Sequence, residues 1–172
     1  MKILLFSTHV QRAIAVAHAP FNLWLFSKFF YSLSLSLSAL SVQAQVLPDG
    51  TLSSTVSSPD GQNFTIENGD RIGNNLFHSF DTFSVPTNGS AVFNNPTDIE
   101  NIFSRVTGPN FSNIDGLLQI TGTTNLFLLN PNGIIFGPNA QLNIAGSFTA
   151  STANSLTFAD GTNFSAAAAE PL

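Results

Sequence analysis

Shifted by 22 residues against itself, the chain lays apolar positions on apolar positions from residue 126 onward. Leu126 falls on Phe148, Leu128 on Ala150, Ile134 on Leu156, Phe136 on Phe158 and Leu142 on Phe164. Some columns reach one unit further back, as Val106/Leu128/Ala150, Ile114/Phe136/Phe158, Leu118/Ala140/Thr162 and Ile120/Leu142/Phe164. A polar column, Asn110/Asn132/Asn154, has the same period. A repeat of this length is one coil of a stacked solenoid, a unit that buries its apolar face only against neighbouring units. The period restricts the chain to coils of about 22 residues, with the asparagine column predicted as a ladder of side-chain amides.

Local signals identify the coils as β-structure. Ala140–Ile144 and Leu156–Phe158 alternate apolar and polar residues, the mark of a half-buried strand. Leu126–Leu129 is apolar on both faces, which fits a strand covered on both sides, with an element packed outside the coil. Seven Asx-Gly pairs, at 49–50, 60–61, 68–69, 88–89, 115–116, 132–133 and 160–161, punctuate the runs. Asn, Asp and Gly tolerate the positive φ of tight turns. Leu76–Val85 reads as extended. One segment departs from the pattern: Thr97 and Glu100 form a capping box ahead of Ile99, Ile102, Phe103 and Val106 at helical spacing. A short helix near 98–104 is therefore predicted. The solenoid is expected to occupy 45–165 and to be incomplete at its C-terminal end, with 166–172 an unstructured tail.

Charge divides the chain at residue 44. Residues 1–44 carry Lys2, Arg12 and Lys28 and no acid. All ten acidic residues lie beyond, against Arg71 and Arg105 alone, a net of −8. A cationic segment followed by an apolar stretch and Val42-Gln43-Ala44 has the layout of a secretory signal peptide, with an unusually long n-region. Phe29–Val42 is shorter than the ~20 apolar residues of a membrane span. Cleavage is expected between Ala44 and Gln45, and an uncleaved signal anchor is the alternative. Without cysteine, the exported part must be held by its core and hydrogen-bond ladders. The acidic balance argues against nucleic acid, whose phosphates require clustered Lys and Arg.

Candidates for catalysis are few. Beyond residue 44 there is one histidine, His78, beside Ser79 and Asp81. Successive side chains of one strand point to opposite faces, so these three do not converge as a triad, and His78 is expected at a rim. The acids are dispersed singly, which supports neither a metal site nor the paired carboxylates of glycoside hydrolysis. No cofactor is expected. Arg71 and Arg105 are read as partners of nearby acids such as Glu100 or Asp70, or alternatively as anion or partner contacts.

Several segments in order resemble one family. They are Asn68-Gly69-Asp70-Arg71, Asn75-Leu76-Phe77-His78-Ser79-Phe80 with Phe83-Ser84-Val85, and Phe93-Asn94-Asn95-Pro96. Next come Asn101–Gly108, Asn113–Leu117 and Asn130-Pro131-Asn132-Gly133-Ile134. The chain resembles the N-terminal secretion domain of filamentous haemagglutinin-like exoproteins, the two-partner secretion family, in the form found in multicellular cyanobacteria. The resemblance implies a right-handed parallel β-helix that crosses the inner membrane by general export. The periplasmic domains of an outer-membrane transporter would then bind it, with secretion or cell-surface display as the destination. Asn130–Ile134 would be the transporter-recognition motif. Asn95-Pro96, the nearest match to a second motif of some members, and Arg105 would form a secondary one. The cargo behind such a domain is commonly an adhesin, and the family domain usually extends well past residue 172. The turn chemistry of Asn130–Gly133 favours a structural corner over a direct transporter contact. The rival readings are a carbohydrate-active β-helix enzyme and a non-functional exoprotein fragment.

Overall fold

A computed structural model describes residues 45–172, and within them every regular element is a strand. The predicted leader, with its junction at Ala44, lies outside the described residues. Strands β1 (Val46–Pro48), β2 (Ser54–Ser57), β3 (Asn63–Asn68), β4 (Asp70–Ile72) and β5 (Asn75–Phe83) open the domain. They are followed by β6 (Ser90–Phe93), β7 (Asn101–Val106), β8 (Ser112–Ile114), β9 (Leu117–Ile120) and β10 (Asn125–Leu129). The chain continues through β11 (Ile134–Phe136), β12 (Gln141–Asn143), β13 (Phe148–Ser151), β14 (Ser155–Thr157) and β15 (Asn163–Ser165).

These strands build a parallel β-solenoid with three faces. On the first, β5, β7, β10 and β13 pair in parallel. On the second, β3, β6, β9 and β12 do so. The third carries β8 with β11, extended by a bridge from Val85 to Ile114. At the N-terminal end the pairing turns antiparallel: β1 and β4 flank β5, and β2 flanks β3.

The core lies inside the coils. Leu76, Ile102, Leu126 and Phe148 stand in register on the first face, and Phe64, Ala91, Leu118 and Leu142 on the second. Ile102, Val106, Ile114, Leu118, Leu126 and Leu128 are fully buried. The burial fades at the last coil, where Leu142 is 50% and Phe136 42% exposed.

The coil length is not constant. The first-face column from Leu76 to Phe148 steps by 26, then 24, then 22 residues. The 22-residue shift therefore holds for Leu126/Phe148, Leu128/Ala150 and Ile114/Phe136. It fails between β7 and β10, where Leu128 pairs with Ser104 rather than Val106, and between β9 and β12, where Leu118 pairs with Leu142 rather than Ala140. Beyond β13 the repeat ends altogether: β14 and β15 form an antiparallel hairpin instead of another coil. Residues 166–172 add no strand.

The predicted helix near 98–104 is instead a turn at 97–98 leading into strand β7, which begins at Asn101. Ile102, Ser104 and Val106 point into the coil, while Phe103 and Arg105 on the opposite face are covered from outside, at 8% and 1% exposure. A strand buried on both faces loses its alternation, and its apolar residues then fit a helical template equally well. The capping-box acid serves another purpose, since Glu100 Oε1 accepts a hydrogen bond from Asn74 Nδ2 at 3.0 Å.

The amide ladder also stands elsewhere. Asn110, Asn132 and Asn154 are exposed and do not bond to one another. The ladder runs through Asn75, Asn101 and Asn125 at the start of the first-face strands. Asn101 Nδ2 donates to Asn75 Oδ1 at 2.9 Å, and Asn125 Nδ2 to Asn101 Oδ1 at 3.0 Å. Ser147 N–H continues it onto Asn125 Oδ1 at 2.8 Å. The polar column thus follows the 26, 24, 22 spacing, which a single fixed shift passes over.

Candidate functional site

The corner after β10 is built around Asn130, which is fully buried. Its Oδ1 accepts the Asn132 N–H at 2.9 Å, an Asx turn that Pro131 pre-shapes by its fixed φ. Gly133 N–H closes the turn on the Asn130 carbonyl at 3.0 Å, with Gly133 at φ 116°. The Asn130 amide then reaches the preceding coil, donating to the Asn110 carbonyl at 3.0 Å and to Ser112 Oγ at 2.9 Å. Its backbone N–H reaches the following coil at the Ser151 carbonyl, 3.0 Å away. Asn130 is therefore the buried amide of the motif. Asn132 is exposed, its Nδ2 donating to the Gly108 carbonyl at 2.9 Å. Ile134 packs against the coil core, whereas the adjoining Ile135, Phe136 and Phe111 are 51%, 42% and 52% exposed. Phe111 borders the corner, its Cβ lying 3.6 Å from where a side chain at Gly133 would begin.

Arg105 lies in register with Leu129, the residue before that corner, so both occupy the same end of neighbouring strands. Its surroundings differ from the expected exposed ion pair. Nε donates to Ser79 Oγ at 2.8 Å, Nη1 to the Ser165 carbonyl at 2.8 Å and Nη2 to Thr51 Oγ1 at 3.2 Å. Nη2 also donates to the Glu170 carbonyl, and the guanidinium lies 4.7 Å from the Phe164 ring centroid. Neither Glu100 nor Asp70 is its partner. The nearest acid acts through hydroxyls: Asp49 accepts from Ser79 Oγ at 2.5 Å and from Thr107 Oγ1 at 2.7 Å. Burial pushes the Asp49 carboxyl up, but hydrogen bonds from Ser79, Thr51 and Thr107 outweigh it and hold the pKa below its ordinary value. Burial lowers the Arg105 pKa, and the charges of Asp49 and Glu170 oppose that shift. Arg71 does form an exposed ion pair, with Asp98 at 2.6 Å. Such pairs contribute about 0–1 kcal/mol.

Asn95-Pro96 sits at the opposite end of β7, away from this cluster. Asn95 is buried, and its Nδ2 bonds Thr124 Oγ1 at 3.0 Å and the Pro96 carbonyl at 3.1 Å. Thr124 Oγ1 in turn donates to the Ile99 carbonyl at 2.7 Å, which ties this corner to the next coil. Sequence reasoning did not group Asp49, Thr51, Ser79 and Thr107 with Arg105, because side chains scattered over 58 residues share no motif until the coils stack.

His78 is a core residue rather than a rim one, at 1% exposure. Its Nδ1 lies 3.0 Å from Ser54 Oγ, its ring stacks on Phe80, and the edge of Phe93 meets it. Ser79 faces the other way, into the Arg105 cluster. Burial drives the imidazole pKa down to about 4, with the Asp70 charge opposing. The unfolded chain titrates near 6.5, so it binds more protons than the native state between these values. Stability is retained above about pH 6.5 and falls as the pH drops toward 4. Between pH 7 and 4.5 this single group should cost about 2 kcal/mol. Urea unfolding at both pH values should show His78→Gln losing that much less than the native chain. Equal losses would mean that the imidazole is protonated in the fold.

No group of three His, Cys, Asp or Glu side chains converges among the described residues. One open cleft on the second face is lined by Asn63, Asn88, Ser90, Asn139 and Gln141, all neutral. Amides and hydroxyls at such a surface can hydrogen-bond but cannot supply an acid–base pair.

The model of the TPS secretion domain matches residues 44–172, spanning every coil and the Arg105 cluster. The chain belongs to the TPS secretion domain family. A stretch of 72 residues, 42% of this chain, is 39% identical to the heme/hemopexin-binding protein of Haemophilus influenzae (strain ATCC 51907 / DSM 11121 / KW20 / Rd). That stretch spans only 7% of the relative's length. As a TPS domain the chain is a two-partner secretion substrate. The family comprises secreted exoproteins of Gram-negative bacteria and is not a known enzyme family, and a TPS domain implies an outer-membrane transporter as partner.

Proposed function

We propose that the folded coils are a non-enzymatic secretion address, read in the periplasm by the transporter's periplasmic domains. The domain would thereby direct an adhesin-like exoprotein to the medium or the cell surface. The observation that carries this reading is the division of labour within Asn130–Ile134. Asn130 satisfies the buried corner, which leaves Pro131 and Asn132 at the surface beside exposed Phe111, Ile135 and Phe136. Aromatic and aliphatic side chains on a rigid turn are suited to be anchors for a partner, since they bury area at little entropic cost. Arg105 and Asn95-Pro96 are assigned to holding the coils, and through them the shape of this surface.

The test separates contact from folding. Phe111→Ser and Ile135→Ser should leave the thermal midpoint within a few degrees. They should also cut export several-fold in cells producing the transporter, with the chain retained in the periplasm. Asn130→Ala should instead lower stability by about 1–3 kcal/mol, because its partners lose a buried donor. Full export of the two surface variants would remove the corner from the recognition site.

A further inference from the structure

A strip of aromatic rings runs along the outside of the first face. Phe77 stacks on Phe103 at 5.2 Å between centroids, and Phe103 on Phe127 at 4.8 Å. The β14–β15 hairpin covers it: Phe158 meets Phe103 edge-on at 5.1 Å, and Phe164 meets Phe77 at 5.2 Å.

The hairpin is joined to the coils in an unusual way. Its strands pair only with each other and add to no coil ladder. An isolated two-stranded hairpin is marginal in water, so its order depends on the aromatic strip and on Arg105. Arg105 holds it through main-chain carbonyls, those of Ser165 and Glu170. Everything that seats the hairpin would be met equally by the same segment of another copy.

We propose that this strip is an exchange site, which accepts the β14–β15 hairpin of a second copy of the chain. Two features favour exchange. The link between β13 and β14 is three exposed residues, Thr152, Ala153 and Asn154, and short hinges invite swapping. Three residues reach at most ~11 Å, so exchange holds the two last coils close together. The hairpin also makes no ladder bond with the coils, so exchange breaks no strand pairing. Each copy uses the same surface, so the assembly closes as a two-fold dimer.

Light scattering on the full chain across a concentration series tests this. Deleting Ala153 should raise the dimer fraction roughly ten-fold, because the shortened link resists folding back. Inserting Gly-Ser-Gly-Ser after Ala153 should return it to monomer. Because the native chain has no cysteine, one copy carrying Phe103→Cys and another carrying Phe158→Cys can report exchange directly. A disulfide between the two copies is expected. Absence of that cross-link, with both variants folded by circular dichroism, overturns the proposal. A dimer that ignores link length but is abolished by Leu142→Glu also overturns it, since that contact would be end-to-end stacking without exchange.

Discussion

Replacement of Arg105 by methionine is expected to lower unfolding free energy by about 3–5 kcal/mol, the range for removing one member of a buried, hydrogen-bonded charge network. Methionine fills much of the volume but donates nothing. Ser79 Oγ, Thr51 Oγ1 and the Ser165 and Glu170 carbonyls would each lose a donor. The Asp49 carboxylate would keep its hydroxyl partners but lose the nearby positive charge. The Phe164 ring would lose the cation stacked on it. Urea unfolding followed by circular dichroism measures the loss, and amide exchange locates it. Protection should fall first in β14 and β15, which depend on Arg105, and later in the coils. A loss below about 1 kcal/mol would place Arg105 with the exposed pairs, alongside Arg71 and Asp98.

Gly116→Ala is expected to cost about 3 kcal/mol, at the upper end of ordinary overpacking. The added methyl would lie 2.4 Å from both the Gly89 and Pro86 carbonyl oxygens and 2.9 Å from Val85 Cγ1. Two of these obstacles are backbone, and both are pinned, because Gly89 O accepts the Leu117 N–H and Pro86 O the Gly89 N–H, each at 2.9 Å. Relief would require parting two coils on the second face, which breaks ladder bonds above and below. Gly122→Ala is the control. Its φ of 85° strains a side chain, but nothing lies within 4 Å of the added methyl, so about 1–2 kcal/mol is expected. Thermal midpoints of the two variants should differ in that order. The reverse order would mean that backbone conformation, and not coil spacing, demands glycine at 116.

The turn chemistry was open to reading because it is local. In five of the seven Asx-Gly pairs the glycine takes positive φ, and in Asn88-Gly89 the asparagine does, at 61°. Asp115-Gly116 is the exception, and its glycine answers to a neighbouring coil, which no dipeptide can announce. The same limit explains β7. Ile99, Ile102, Phe103 and Val106 carry a helical spacing, and only the packing of Phe164 and Phe158 outside the coil explains a buried Phe103 on the outer face of a strand. Asn110, Asn132 and Asn154 match in sequence, yet coils of unequal length bring Asn75, Asn101 and Asn125 together instead.

Alone, the sequence determined the class of fold, the turns and the family. Period, alternation and Asx-Gly pairs act over a few residues or repeat from coil to coil. Tertiary structure decided what depends on register and on the far side of a strand. The unequal coil lengths, the inward His78, the buried Asn130 in place of Asn132 and the burial of Arg105 all belong there. The reason is physical: a solenoid side chain meets partners some 20 to 60 residues away. Which partner it meets depends on the exact length of every coil between them.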